Sequence, residues 1–211
     1  MPAYFVTGTD VGVGKTHVIC ALLRNLVAGG ISCAGCKPVS CGDRKELRAM
    51  REAAGQPSLS LDKLNPLYLR TMADPRVGID FEHKRVDIPA LVASTQELAS
   101  TYATLLVEGT GGWETPLAPG VTMADLAQAL RYPVLLVTSN RQGAVNHALM
   151  TVRSIQARGL ECRGIILNQQ SDEWDTAAVT NCAMLEEYTG VPVLAELIHG
   201  DDELDASFVL V

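Results

Sequence analysis

Apolar positions along this chain follow two alternating rhythms. Short β-branched runs predict strands, and stripes spaced by three and four residues predict helices. Tyr4–Thr7 is the first predicted strand. A helix over 15–28 follows, with Val18, Ile19, Leu22, Leu23, Leu26 and Val27 on one stripe and Gly29 and Gly30 as its stop. Residues 31–39 predict a second strand, ended by Pro38 and a Gly-containing loop. Between 43 and 86 the rhythm weakens: GDRKELRAMREAAG has helical composition, while LNPLYLRTMADPRVG is broken by prolines and reads as an excursion. Asp87 then predicts an N-cap and Pro89 a first turn, opening a helix striped by Ile88, Leu91, Val92, Leu98, Ala99 and Tyr102. Thr104–Val107 predicts a buried strand ending at Glu108, followed by the Gly-rich loop GTGGWETPLAPG. Residues 122–130 predict a helix, PVLLVTSN a strand, 144–158 a helix, RGIILN a strand, 174–189 a helix and VPVLAEL a last short strand. PVLLVTSN is nearly all apolar, as expected of a strand covered on both faces. The alternation implies an α/β fold with a mostly parallel central sheet, right-handed crossovers and helices on both faces. No repeat or linker interrupts it, so a single domain is expected over 1–211.

Composition narrows the classes. With 211 residues and 47% apolar content, a core is expected without disulfides or a structural metal. A net charge of −7 argues against non-specific nucleic-acid binding, which needs clustered cations. No run of eighteen apolar residues occurs, so no membrane partner is expected. The start MPAYFVTGTD lacks a basic stretch followed by an apolar one, which predicts a cytoplasmic location. The six cysteines are then read as free thiols. Cys33 and Cys36 form a CxxC, but odd spacing on a strand sends them to opposite faces. The histidines are scattered and predict no zinc site.

The main chemical signal is Gly8-Thr9-Asp10-Val11-Gly12-Val13-Gly14-Lys15-Thr16. It follows a predicted strand and opens a predicted helix, the setting of a phosphate-binding loop. Glycines let backbone N–H groups turn toward phosphate oxygens, and the helix N-terminus adds partial positive charge. Lys15 is placed to reach the β- and γ-phosphates of ATP, and the Thr16 hydroxyl to ligate Mg²⁺. The usual spacing would put a glycine where Thr9 stands. Glu108, at a strand's carboxyl end, and Glu46 are candidate carboxylates for the same metal.

GTDVGVGKT, CKPVSCG, VEGTGGWETPL and the NHAL stretch, in that order, resemble dethiobiotin synthetase. The likeness is close over 3–42 and 105–168 and looser elsewhere. It implies a three-layer P-loop NTPase-like fold and a homodimer with a shared active site. It also implies a reaction. CO₂ adds to one amine of 7,8-diaminopelargonate as a carbamate. ATP converts this to a carbamic–phosphoric mixed anhydride. The second amine then closes the ring, releasing ADP and phosphate. By the same resemblance Lys37 contacts the carbamate, Thr16, Glu46 and Glu108 hold Mg²⁺, and Asn168 reads the adenine. Cys41, Gly109, Thr110 and Gly111 lie near the substrate, while Gly143, Ala144 and Asn146 receive its carboxylate across the dimer. Departures fall at Val11 and Gly12, where the family loop carries a threonine and an acid, and at Cys41, where a serine usually stands. The family's metal carboxylate at position 46 is usually aspartate. These departures leave room for a related ligase acting on another amine or acid. A different class is a nucleotide switch of the partitioning or division-positioning type. Such proteins carry an extra lysine early in the loop, and residues 8–14 contain none.

Overall fold

The computed structural model describes residues 2–172 and 175–210. Its strands and helices alternate as the apolar rhythm predicts. The chain begins with β1 (Ala3–Gly8), α1 (Lys15–Ala28) and β2 (Cys33–Cys36). The excursion follows as β3 (Val39–Cys41), α2 (Lys45–Ala53), α3 (Leu61–Leu64), β4 (Leu67–Leu69) and α4 (Pro75–Phe81). Then come α5 (Ile88–Thr101), β5 (Thr104–Glu108), β6 (Pro116–Ala118), β7 (Val121–Thr122), α6 (Met123–Leu130), β8 (Val134–Ser139) and α7 (Ala144–Ala157). β9 (Cys162–Asn168), α8 (Thr176–Thr189) and β10 (Val193–Leu197) complete the pattern. The predicted helix start at 174 lies outside the described residues.

Six strands form one parallel sheet in the order β10-β9-β8-β1-β5-β2. One face is covered by α1 and α2, which pack with Tyr4, Val6, Leu106 and Val137. The other face carries α5 and α6 against Phe5, Leu105 and Val107, and α7 and α8 against Leu136, Ile165 and Leu167. Alternate residues of β1 therefore enter different cores, as the two-residue period of a strand requires. Cys33 and Cys36 separate in the same way.

The predicted strand over 31–39 is in fact two. Main-sheet pairing ends at Cys36, and Val39–Cys41 pair instead with Leu67–Leu69 in a separate two-stranded parallel ladder. The break falls at Lys37-Pro38, where proline has no N–H to extend a ladder. Asn65 bridges the gap, its amide donating to the Lys37 carbonyl at 2.8 Å while its Oδ1 accepts from Ser40 at 2.8 Å. Lys37 thus sits at a fixed corner. The Gly-rich stretch holds a small antiparallel hairpin, β6–β7, that its composition hid. Beyond β10 the chain returns along α1. Leu204, Ala206 and Val209 are buried there, and Asn25 Oδ1 accepts from the Ala206 N–H at 3.2 Å. Among the described residues, no helix is long and apolar enough to cross a membrane.

Candidate active site

Register brings the chemistry to one edge. β1 pairs Val6 with Glu108 of β5 and Gly8 with Val137 of β8, so the phosphate loop and Glu108 leave the sheet together at its carboxyl side. Gly14 caps α1 in the left-handed region at φ 91°, which only glycine adopts without strain. The rest of the loop is pinned by hydrogen bonds. The Thr9 hydroxyl bonds Thr138 at 3.1 Å, and the Val11 N–H donates to Asp10 Oδ1 at 2.7 Å. Asn168 Nδ2 donates to the Val13 carbonyl at 3.0 Å, and Gln170 Nε2 donates to the Gly12 carbonyl. Two loop carbonyls are thus engaged by side-chain amides, an arrangement compatible with a loop whose N–H groups serve an anion.

Lys15 is buried, and its ammonium donates to the Asp10 carbonyl at 3.0 Å across the loop mouth. Burial holds its pKa below the ordinary lysine value and the nearby Lys37 lowers it further, although Glu108 opposes them. The Thr16 hydroxyl donates to Glu108 Oε2 at 2.8 Å. Lys37 donates to Glu108 Oε1 at 2.7 Å and also to Glu46 Oε2. Burial disfavours the Lys37 charge, but the Glu108 and Glu46 carboxylates outweigh it and hold the pKa above the ordinary value. Glu46, in the first turn of α2, is half exposed, whereas Glu108 is only 1% exposed.

These groups line one cavity of about 530 Å³. Val11, Gly12, Gly14, Lys15, Thr16, Lys37, Cys41, Glu46, Glu108, Thr110 and Gly111, all predicted from the sequence, face it together. His17, Met72, Ala73, Asp74 and Pro75 complete the lining and were not anticipated. Four of them come from the excursion, and the Asp74-Pro75 pair, an N-cap followed by a first-turn proline, was the available signal. Cys41 lines the cavity with its thiol pushed up to about 11 by burial. Ser40 beside it points to Asn65 and does not take the place of the missing serine.

Other predicted positions lie elsewhere. Gly8, Thr9, Asp10 and Val13 shape the loop and do not line this cavity. Gly109 is packed on the Phe5 ring, where an added Cβ would lie 3.0 Å from the Phe5 Cζ. Asn168 lines a polar cavity of about 360 Å³ with Ser139, Asn140, Arg141, Gln169 and Gln170 at the ends of β8 and β9. Gln170, missed in the sequence, also accepts from the Ser139 hydroxyl at 2.5 Å and so ties β8 to the phosphate loop. Gly143, Ala144 and Asn146 begin α7 outside the main cavity. A groove of about 450 Å³ links the phosphate loop to α7, lined by Asp10, Val11, Asp74, Trp113, Met150 and Ser154 among others. Trp113 fixes its wall, with its ring edge-on to Phe5 at 6.3 Å and its Nε1 donating to Ser154 at 3.1 Å.

Two carboxylates and a hydroxyl, all hard oxygen donors, converge beside the loop. Mg²⁺ commonly takes one or two protein carboxylates and fills its octahedron with water and phosphate oxygens, so this donor set suits it.

Comparison with known proteins agrees with the fold and the motifs. A family model described as an AAA domain matches residues 2–202. The ATP-dependent dethiobiotin synthetase BioD of Akkermansia muciniphila is 47% identical over 210 residues, covering 100% of this chain and 98% of that one. The protein of the same name from Anaeromyxobacter dehalogenans is 37% identical over 201 residues, covering 93% of this chain and 90% of that one. Among solved structures, the cell division protein FtsY of Thermotoga maritima superposes with a TM-score of 0.61 at 17% identity, covering 100% of this chain and 68% of that one. The MinC:MinD cell division complex of Aquifex aeolicus gives 0.60 at 14% identity, covering 100% and 86%. At such identity these two likenesses report the fold alone. Identity along the whole length separates the chain from the division-positioning class, and it belongs to the ATP-dependent dethiobiotin synthetase family.

Proposed function

We propose that this protein is a single-domain, Mg-ATP-dependent cyclo-ligase of biotin biosynthesis, converting 7,8-diaminopelargonate and CO₂ to dethiobiotin. The observation that carries this reading is the convergence of Lys15, Thr16, Lys37 and Glu108 on one cavity. Loop amides and Lys15 receive the ATP phosphates. Lys37 stands across the cavity, where its charge stabilises a carbamate and the phosphoryl group passing to it. Phosphoryl transfer asks a protein mainly for position and charge, and these groups provide both. Thr16, Glu46 and Glu108 would hold Mg²⁺, which would supply positive charge to offset that of the phosphates. The second amine then attacks the anhydride carbonyl, phosphate leaves, and the ureido ring closes. Gly111 and Thr110 border the space for the diamine.

Asn168 and the polar cavity beside it are assigned to the adenine, since a side-chain amide both donates and accepts. The start of α7 at Gly143, Ala144 and Asn146 is assigned to the substrate carboxylate of the partner in a homodimer, where helix N–H groups suit an anion. A cytoplasmic location accords with six cysteines that form no disulfide.

The test supplies diaminopelargonate, bicarbonate, Mg²⁺ and ATP, and reads dethiobiotin by mass. Absence of product at every substrate level overturns the proposal. Lys37→Ala is expected to abolish ring formation while ATP still binds. Cys41 and the Val11-Gly12 pair favour one alternative, a related ligase for another amine or acid. Phosphate release across a panel of diamines decides it.

A further inference from the structure

Lys37 occupies the place of a metal ion in one respect: it neutralises the carboxylates that would hold one. Its ammonium is 2.7 Å from Glu108 Oε1 and pairs with Glu46 Oε2, while Glu108 Oε2 accepts from Thr16 at 2.8 Å. All three side chains suited to a divalent cation are therefore already engaged with Lys37 or with one another. Glu108 is 1% exposed, so its charge depends on a cation at hand rather than on water. A divalent cation on Glu46 and Glu108 would face the ammonium across the same oxygens, and like charges at that range repel.

The backbone of Lys37 cannot yield. Its N–H donates to the Leu64 carbonyl at 3.0 Å, and its carbonyl accepts from Asn65 Nδ2 at 2.8 Å. Only the four-carbon side chain is free to turn. The cavity opens beside it, bordered by Cys41, Thr110 and Gly111. The Lys37 side chain is 8% exposed, so an ammonium that leaves two carboxylates needs a new anion.

We infer that Lys37 is the resident counter-cation of the Glu46–Glu108 pair, exchanged for a divalent cation during turnover and thereby released to an anionic group of the substrate. The exchange rests on the function proposed above, because the acceptor for the released ammonium is the carbamate. It makes the metal and the acidic substrate bind synergistically, each strengthening the other by the same factor. Without the anion, a metal must displace a lysine that has nowhere to go.

The experiment titrates Mn²⁺ into nucleotide-free protein, with free Mn²⁺ read by electron paramagnetic resonance. Lys37→Met keeps the length of the side chain and removes its charge. It is expected to bind one Mn²⁺ about tenfold or more tightly than the wild type, and Glu108→Gln added to it is expected to erase the gain. Equal or weaker Mn²⁺ binding by Lys37→Met, including no binding by either protein, overturns the exchange. A second reading is taken on the wild type, with Lys37→Arg, which keeps the charge, used only to assign the signal, so a failure of Lys37→Met to fold does not block the answer. With ¹³Cε-labelled lysine, the Lys37 signal, identified by its loss in Lys37→Arg, is expected to shift when Mg²⁺, diaminopelargonate and bicarbonate are added together. It is expected to shift far less with either Mg²⁺ or substrate alone. A signal indifferent to the combination overturns the exchange. Dethiobiotin formation by the wild type is read separately by mass. Product made without the Mn²⁺ effect refutes the exchange and spares the ligase reading; the Mn²⁺ effect without product refutes the ligase reading.

Discussion

Replacing Gly14 with alanine tests how the phosphate loop is held from β9. Gly14 has φ +91°, and a Cβ there would lie 2.0 Å from Asn168 Nδ2 and 3.1 Å from its Cγ. The left-handed backbone alone costs an alanine about 1–2 kcal/mol. The overlap is too large for small adjustment, so the Asn168 side chain must leave. Its 3.0 Å bond to the Val13 carbonyl goes with it. Stranding that buried carbonyl costs about 1–3 kcal/mol. The sum is about 2–5 kcal/mol. With a urea m-value of about 2 kcal/mol/M, the unfolding midpoint falls by about 1–2.5 M. Asn168→Ala loses the same bond by itself, at about 1–3 kcal/mol. In the double variant that bond is lost only once. The pair is therefore expected to be no less stable than Gly14→Ala alone, a coupling of about 1–3 kcal/mol. Urea unfolding of all four proteins, at unchanged m-value, measures it. Effects that simply add, to within about 0.5 kcal/mol, would show that Asn168 is not what Gly14 makes room for.

Three further expectations follow from the geometry. Glu108→Ala is expected to cost about 3 kcal/mol in chemical denaturation, the low end for a broken buried pair because Glu46 still holds Lys37; a cost under about 1 kcal/mol would contradict the pairing. Asp125 Oδ2 accepts from the Thr122 N–H at 2.6 Å and from its hydroxyl at 3.1 Å at the start of α6, so Asp125→Ala is expected to lower stability by about 1 kcal/mol, and an unchanged thermal midpoint would count against that cap. Burial keeps the Cys41 thiol protonated, with its pKa pushed up to about 11, so the reactive thiolate grows with pH until that value is passed. Alkylation of Cys41 by iodoacetamide is expected to keep accelerating through about pH 10, where an ordinary thiol near 8.5 has levelled off; a plateau at about pH 9 refutes the assignment.

How much of this was legible depended on whether the signal was local. α1 was bounded correctly because Gly14 and the Gly29-Gly30 pair mark its ends within its own sequence. Asp87 capped α5 as read, its carboxylate accepting from the Ala90 N–H at 2.9 Å. The split at Lys37-Pro38 was hidden because the partner of Val39–Cys41 lies at Leu67–Leu69, across a proline-broken stretch with no periodicity to advertise a strand. The same distance concealed Asp74 from the site. In the site itself, Lys15 and Thr16 announced themselves by motif, Glu46 and Glu108 as candidate carboxylates for the same metal, and Lys37 by resemblance. That Lys37 would lie between Glu46 and Glu108 was not readable, since 71 residues separate it from Glu108 along the chain. Gln170 gave no signal either: an amide after a strand is ordinary, and only the fold brings it over Gly12.

The place of β1 in the sheet also sets when the site comes into being. β1 pairs Ala3 with Leu105 on one side and Phe5 with Val134 on the other, so both of its neighbours lie roughly a hundred residues away. Closing loops of that length must precede any reward from the ladder, and contacts so distant slow folding. The strand that carries the phosphate loop is thus among the first made and the last secured. During refolding, ATP binding is expected to return after helical content does. Simultaneous recovery of the two would show that pairing of β1 is not the slow step in assembling the sheet.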